Sequence, residues 1–191
     1  MTQTEQTSRR DQILATAAEL FAARGFHGVS VVDIGAACGI SGPALYKHFA
    51  SKQAVLAEML VSISEELLSV GTQRVTAAGG PDGALSALVE WHVDFALRHR
   101  PLIVVQDRDW ESLPAEARER VRSLQREYVE LWAGQLLLTD DQLDLPTARA
   151  MAHAAFGLIN STPHSALLPD PAMREVLTRM ALGSLAPRRR R

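Results

Sequence analysis

Apolar side chains recur at intervals of three and four along most of this chain, the period of helices with one buried face. Ile13, Leu14, Ala17, Ala18, Leu20 and Phe21 predict a first helix over residues 8–24, with Ser8 as N-cap, Asp11 three residues on and Gly25 as its stop. Ser30 caps a second helix that holds Val31, Ile34, Ala37 and Cys38, carries Asp33 at its third position and ends at Gly39. Ser41 caps a third, very short helix with Pro43 in its first turn. Ser51 caps a long fourth, running through Val55, Leu56, Met59, Leu60, Ile63, Leu67 and Leu68 to the break at "AAGGPDG", residues 77–83. Helical patterns resume over about 84–99, 114–136, 146–161 and 170–185. The apolar piece "PLIVVQDRDW" between the first two is strand-like in composition, but no partner strand exists, so it reads as a short helix over 101–111. The expectation is an all-α chain of about nine helices: three short ones, a long connector and a larger bundle.

Composition leaves that picture intact and narrows the setting. The 191 residues are 47% hydrophobic and 22% charged, which fits an ordinary globular protein. No apolar run reaches ~18 residues, so no membrane span is expected, and the polar N-terminus lacks the apolar core of a signal peptide. A lone cysteine, Cys38, fits a reducing cytoplasm and a small core residue. The net charge of −2 is unevenly spread. Residues 1–55 carry five basic against four acidic side chains, residues 56–187 eleven arginines against eighteen acids, and residues 188–191 are all arginine. The N-terminal part is therefore the one suited to approach a phosphate backbone. No nucleophile elbow, phosphate loop or paired-carboxylate motif points to an enzyme or a cofactor. The six histidines offer no i, i+4 pair with a third ligand, so no metal site is expected.

Two short helices joined at Gly39-Ile40-Ser41 read as a helix-turn-helix, whose second helix enters a DNA major groove N-terminus first. Gly42 and Pro43 permit close backbone approach, and Ala44 suits a thymine methyl. Tyr46, Lys47 and His48 reach phosphates or base edges, while Lys52, at the start of the next helix, is placed to hold a phosphate. Leu45 and Phe49 face inward against Leu20, Phe21 and Ile34. The stretch 13–60, with Ala18, Phe21, Gly25, Ser30, Ile34, Ala36, Gly39, Ser41, Leu45, Tyr46, Phe49 and Lys52, resembles the DNA-binding domain of the TetR family of bacterial transcriptional repressors.

The resemblance implies a homodimer, two helix-turn-helix units on a palindromic operator, and release of DNA when a ligand binds the C-terminal bundle. It assigns DNA contacts to Ser30, Ser41, Gly42, Pro43, Ala44, Tyr46, Lys47, His48 and Lys52. Many family members carry a base-reading arginine where this chain has Val32; Arg9 and Arg10 are then candidates to reach the flanking DNA. The expected domains are 8–53 for DNA binding, 54–186 for ligand binding and dimerisation, and a basic tail at 187–191. Candidate pocket residues are Leu88, Trp91, His92, Phe95, Ile103, Val104, Trp110, Leu124, Tyr128, Trp132, Phe156 and Asn160, a mainly apolar set with a few hydrogen-bonding points. A small hydrophobic molecule is the first effector class. An acyl-CoA thioester is the second, with Arg98, Arg100 and Arg108 to meet its phosphates. Dimerisation is expected on the last two long helices through Ala148, Met151, Ala152, Ala155, Phe156, Met173, Val176, Leu177 and Met180. The competing reading is a helical binding or adaptor protein whose helix-turn-helix is vestigial.

Overall fold

The computed structural model describes residues 8–165 and 167–186; the basic tail at 187–191 lies outside them. Among the described residues the chain is all-α, with ten helices: α1 (Arg9–Arg24), α2 (Val31–Ala37), α3 (Gly42–Leu45), α4 (Lys52–Ala77), α5 (Pro81–Arg98), α6 (Arg100–Asp109), α7 (Ala115–Thr139), α8 (Leu145–Ile159), α9 (Thr162–Ser165) and α10 (Asp170–Leu185). A 3-10 turn, Trp110–Ser112, separates α6 from α7. The apolar piece after residue 100 is helical, as the lack of a partner strand implies. The single turn α9 was not foreseen, because four residues are too few to show a period. α5 starts at Pro81 rather than near 84, since proline at the first helical position loses no hydrogen bond.

Two compact units divide the chain. The first holds the described residues up to Ser62 together with Pro101–Glu119; the second holds Ile63–Arg100 and the described residues from Arg120 on. This differs from the expected boundary at 53/54. The first part of α4 supplies Val55, Leu56, Met59 and Leu60 to the first unit's core, and the segment after Pro101 joins the same unit although it is distant in sequence.

In the first unit, α1 packs on α2 and α2 on α3. Ser8 and Asp11 form a reciprocal capping box on α1, and Ser30 and Asp33 form another on α2. Ile13, Ala17, Phe21, Ile34, Leu45 and Leu56 are fully buried. In the second unit, α5 packs on α8 and α10, and α8 packs on α10. Leu88, Trp132, Leu136, Ala152 and Ile159 lie in that core.

Candidate nucleic-acid interface and effector box

The α2–α3 turn is set by two glycines. Gly39 sits at φ 68° just past α2, where an L side chain is strained. The Ile40 N–H then reaches back to the Gly35 carbonyl at 2.9 Å and closes the helix end. Gly35 makes this possible: a Cβ there would stand 2.9 Å from the Ile40 carbonyl oxygen and 3.3 Å from the Gly42 nitrogen. Ser41 caps α3, its hydroxyl accepting from the Ala44 N–H at 3.2 Å. Leu45 and Phe49 are buried, so the opposite side of the segment faces outward. Ser41, Pro43 and Lys47 are exposed, as is Tyr46 at 55%, while Gly42, Ala44 and His48 are half-buried. Ser30 is exposed at the start of α2, and Val32, 66% exposed, lies beside Gly42.

Three basic residues have uses that the sequence did not show. The Lys52 ammonium donates to the Phe26 and Val29 carbonyls, both at 2.7 Å, and lies 4.2 Å from the Phe26 ring centre. Two of its three donors thus brace the α1–α2 connection, which makes it a positioning group before it is a phosphate ligand. Arg10 pairs with Glu58, donates to the His48 carbonyl and covers the Phe49 ring at 4.2 Å. It ties α1, the end of the α3 segment and α4 together instead of reaching outward. Arg9 donates to Gln12 and, at 3.4 Å, to the Cys38 carbonyl; Cys38 itself is half-buried.

In the second unit, rings gather around His92. Its ring centre is 5.7 Å from Tyr128, 6.0 Å from Trp132, 4.8 Å from Phe156 and 6.2 Å from Phe95. Tyr128 stacks on Phe156 at 5.3 Å and 21°. Gly71 of α4 makes room for this, because a Cβ there would stand 2.8 Å from the Tyr128 ring. His92 Nε2 lies 3.1 Å from the Asn160 side-chain oxygen. That oxygen only accepts, so Nε2 carries the proton and Nδ1 is left as a bare acceptor. Burial pushes the His92 imidazole down to about 4, the Asn160 bond offsetting only part of it, so the ring is neutral near pH 7. Burial likewise raises the Tyr128 hydroxyl well above its usual value. His92 Nδ1, the Tyr128 hydroxyl and Trp132 Nε1 are all buried without a partner at full hydrogen-bond geometry; Trp132 Nε1–H and the Tyr128 oxygen face each other in a weak contact that offsets a little of the burial effect on Tyr128.

The remaining pocket candidates have surroundings of their own. Trp91 donates to the Leu67 carbonyl at 3.1 Å and is flanked by the Arg74 and Arg98 guanidiniums. Leu88 and Leu124 are buried in the second unit, Leu88 beside the Tyr128 ring at Gly71. Ile103, Val104 and Trp110 belong to the first unit. The three arginines expected to meet phosphates are each engaged: Arg98 with Asp94 at 2.8 Å, Arg100 with Asp170 at 2.6 Å, and Arg108 with Asp109 and the Phe21 and Ala22 carbonyls that end α1. Asp109, itself buried, accepts from the Phe26 N–H at 3.2 Å.

The description of bacterial regulatory proteins of the tetR family matches residues 13–59, and that of the tetracyclin repressor-like C-terminal domain matches residues 78–164. This chain belongs to the TetR family of bacterial transcriptional regulators. It is 34% identical over 134 residues to the HTH-type transcriptional repressor KstR2 of Rhodococcus jostii, covering 69% of this chain and 65% of that protein. The chain spans about half to two-thirds of the length of the curated relatives it matches. A TetR-family regulator from Bordetella parapertussis shares the fold with a TM-score of 0.79 at 29% identity, over 91% of this chain and 93% of that one. AibR, solved with isovaleryl coenzyme A and operator DNA, superposes with a TM-score of 0.75 at 21% identity, over 91% of this chain and 97% of its own.

On this TetR-family chain the last two long helices divide the interface candidates. Ala148, Ala152, Ala155, Met173 and Leu177 are buried within the second unit itself. Met151, Phe156 and Val176 are half-buried, and Met180 is 51% exposed. Small residues Ala150, Ala154 and Gly157 are exposed on α8. Sequence reasoning missed Gly35 and Asp109, and it gave Arg10 an outward role where the structure shows an internal tie. Only Gly35 left a readable signal, a glycine inside a predicted helix.

Proposed function

We propose that this chain is a homodimeric, ligand-controlled transcriptional repressor acting in the cytoplasm, and that it leaves a palindromic operator when a small hydrophobic effector enters the second unit. The observation that carries the reading is the α2–α3 turn. Gly35, Gly39 and the Ser41 cap hold Pro43, Tyr46 and Lys47 outward on a braced unit, the presentation a major groove requires. A vestigial helix-turn-helix would have no need of these exposed groups. The aromatic box around His92 supports the effector assignment, being apolar with a few polar atoms.

A gel-shift titration on DNA upstream of the chain's own gene tests the proposal. A shift at nanomolar protein is expected, preferring its own site over random sequence by ~10³-fold. Lys47→Ala is expected to weaken binding and to reduce the slope of log K against log salt by about 1, the signature of one lost phosphate contact. No preference for any sequence in a random-library selection would remove the DNA-binding reading. Isovaleryl-CoA is the first compound to add, because release by it would move the effector to the acyl-CoA class.

Dimerisation is proposed through the outer faces of α8 and α10. A charge at Ala155, 1% exposed, would disturb the unit's own core. Met180→Glu is the cleaner variant: it is expected to leave the helical circular-dichroism spectrum unchanged and to give monomers in sedimentation. A variant that stayed dimeric would move the interface to another face.

A further inference from the structure

Three polar atoms in the His92 box are buried without a partner at full hydrogen-bond geometry, Trp132 Nε1 and the Tyr128 oxygen being in weak mutual contact only, and they differ in kind. His92 Nδ1 accepts, Trp132 Nε1 donates, and the Tyr128 hydroxyl does both. His92 Nδ1 is left desolvated without compensation, and the Tyr128–Trp132 contact compensates its two groups only in part, a cost that natural cores avoid in nearly every case. The rings that carry them stand within about 6 Å of one another: His92 to Tyr128 5.7 Å, His92 to Trp132 6.0 Å, Tyr128 to Trp132 6.1 Å. All three residues are at most 3% exposed. Phe156 and Asn160, both half-buried, form the side of the box nearest solvent.

A partner for this set is constrained by simple counting. A carboxylate or phosphate accepts only, would leave Nδ1 bare, and would bring a charge among neutral rings. A carbonyl satisfies Trp132 and Tyr128 but again not Nδ1. A hydroxyl satisfies all three, its O–H donating to His92 Nδ1 and its oxygen accepting from Trp132 Nε1 and the Tyr128 hydroxyl. We propose that His92, Tyr128 and Trp132 form a subsite for one uncharged hydroxyl group, alcohol or phenol, on an otherwise apolar effector. This rests on the reading that the second unit takes a small effector. The aromatic walls bind the ligand's apolar frame, and the three polar atoms fix its orientation.

The test uses two near-isosteric fluorinated probes on the full chain, 4-fluorophenol and 4-fluorotoluene, titrated by ¹⁹F NMR to 5 mM. 4-Fluorophenol is expected to bind at least ~10-fold more tightly, a hydrogen-bond difference read as affinity. Tyr128→Phe is expected to cut that preference to about 3-fold or less and, without probe, to leave the melting temperature unchanged or higher. Equal affinity for the two probes would overturn hydroxyl recognition while leaving the repressor reading standing. So would binding of neither probe. A lower melting temperature for Tyr128→Phe, with no preference between probes, would show a structural site for an ordered water only. Failure of the repressor reading appears separately, as absence of an operator shift, and leaves the probe titration intact.

Discussion

Phe21→Ala is expected to destabilise the first unit by about 3–5 kcal/mol, the usual cost of emptying an aromatic core site. Phe21 is fully buried, and its ring stands 5.3 Å from that of Phe26. Its carbonyl ends α1 by accepting from the Gly25 N–H at 2.8 Å and from Arg108. The cavity would lie where α1, the α1–α2 connection and the segment after Pro101 share one core. A loss of that size is a large part of the ~5–15 kcal/mol that holds a domain together. Hydrogen exchange should accelerate across residues 9–60, and operator binding should fall with it. Tyr46→Ala is the control, because Tyr46 is half exposed and makes no core: operator binding should drop while exchange stays unchanged. Unaltered protection in α1–α3 of Phe21→Ala would show that this core is not what holds the reading helix.

Local signals were legible in the sequence. Both capping boxes, the stop at Gly39 and the inward pair Leu45 and Phe49 follow from spacing within one or two turns, and the structure has each. Long-range pairings were not. Lys52 reads as a phosphate ligand because a cation at a helix start suits one; nothing in the sequence places the Phe26 and Val29 carbonyls within 2.7 Å of it. Arg10 and Glu58 are 48 residues apart, and Phe26 and Asp109 are 83 apart. Periodicity tells which face of a helix is buried, not what it is buried against. The same limit split the pocket candidates. Trp91 and His92 are neighbours on α5, yet one donates to a carbonyl of α4 while the other sits among rings with an unpaired nitrogen.

His92 should make the second unit acid-labile well above the carboxylate range. Its imidazole lies at about 4 in the folded protein against an ordinary 6.5, because burial penalises the charged form. The unfolded chain therefore takes up a proton below about pH 6.5 that the folded chain refuses until about pH 4. Stability is full above that window and falls as the pH drops through it, by roughly 3 kcal/mol in all at 1.36 kcal/mol per pH unit. The groups around the ring (Asn160, Tyr128, Trp132, Phe95 and Phe156) carry no charge there, so nothing nearby offsets the effect. His99, also lowered chiefly by burial, adds in the same direction. Carboxylates such as Asp33 and Asp144, held low by their capping bonds, contribute only further into acid. Urea unfolding between pH 7.5 and 4.5 should show this slope, and His92→Phe should remove most of it while filling the same space with another ring. An unchanged slope in that variant would place the acid-sensitive group elsewhere and mean that water reaches His92 in solution.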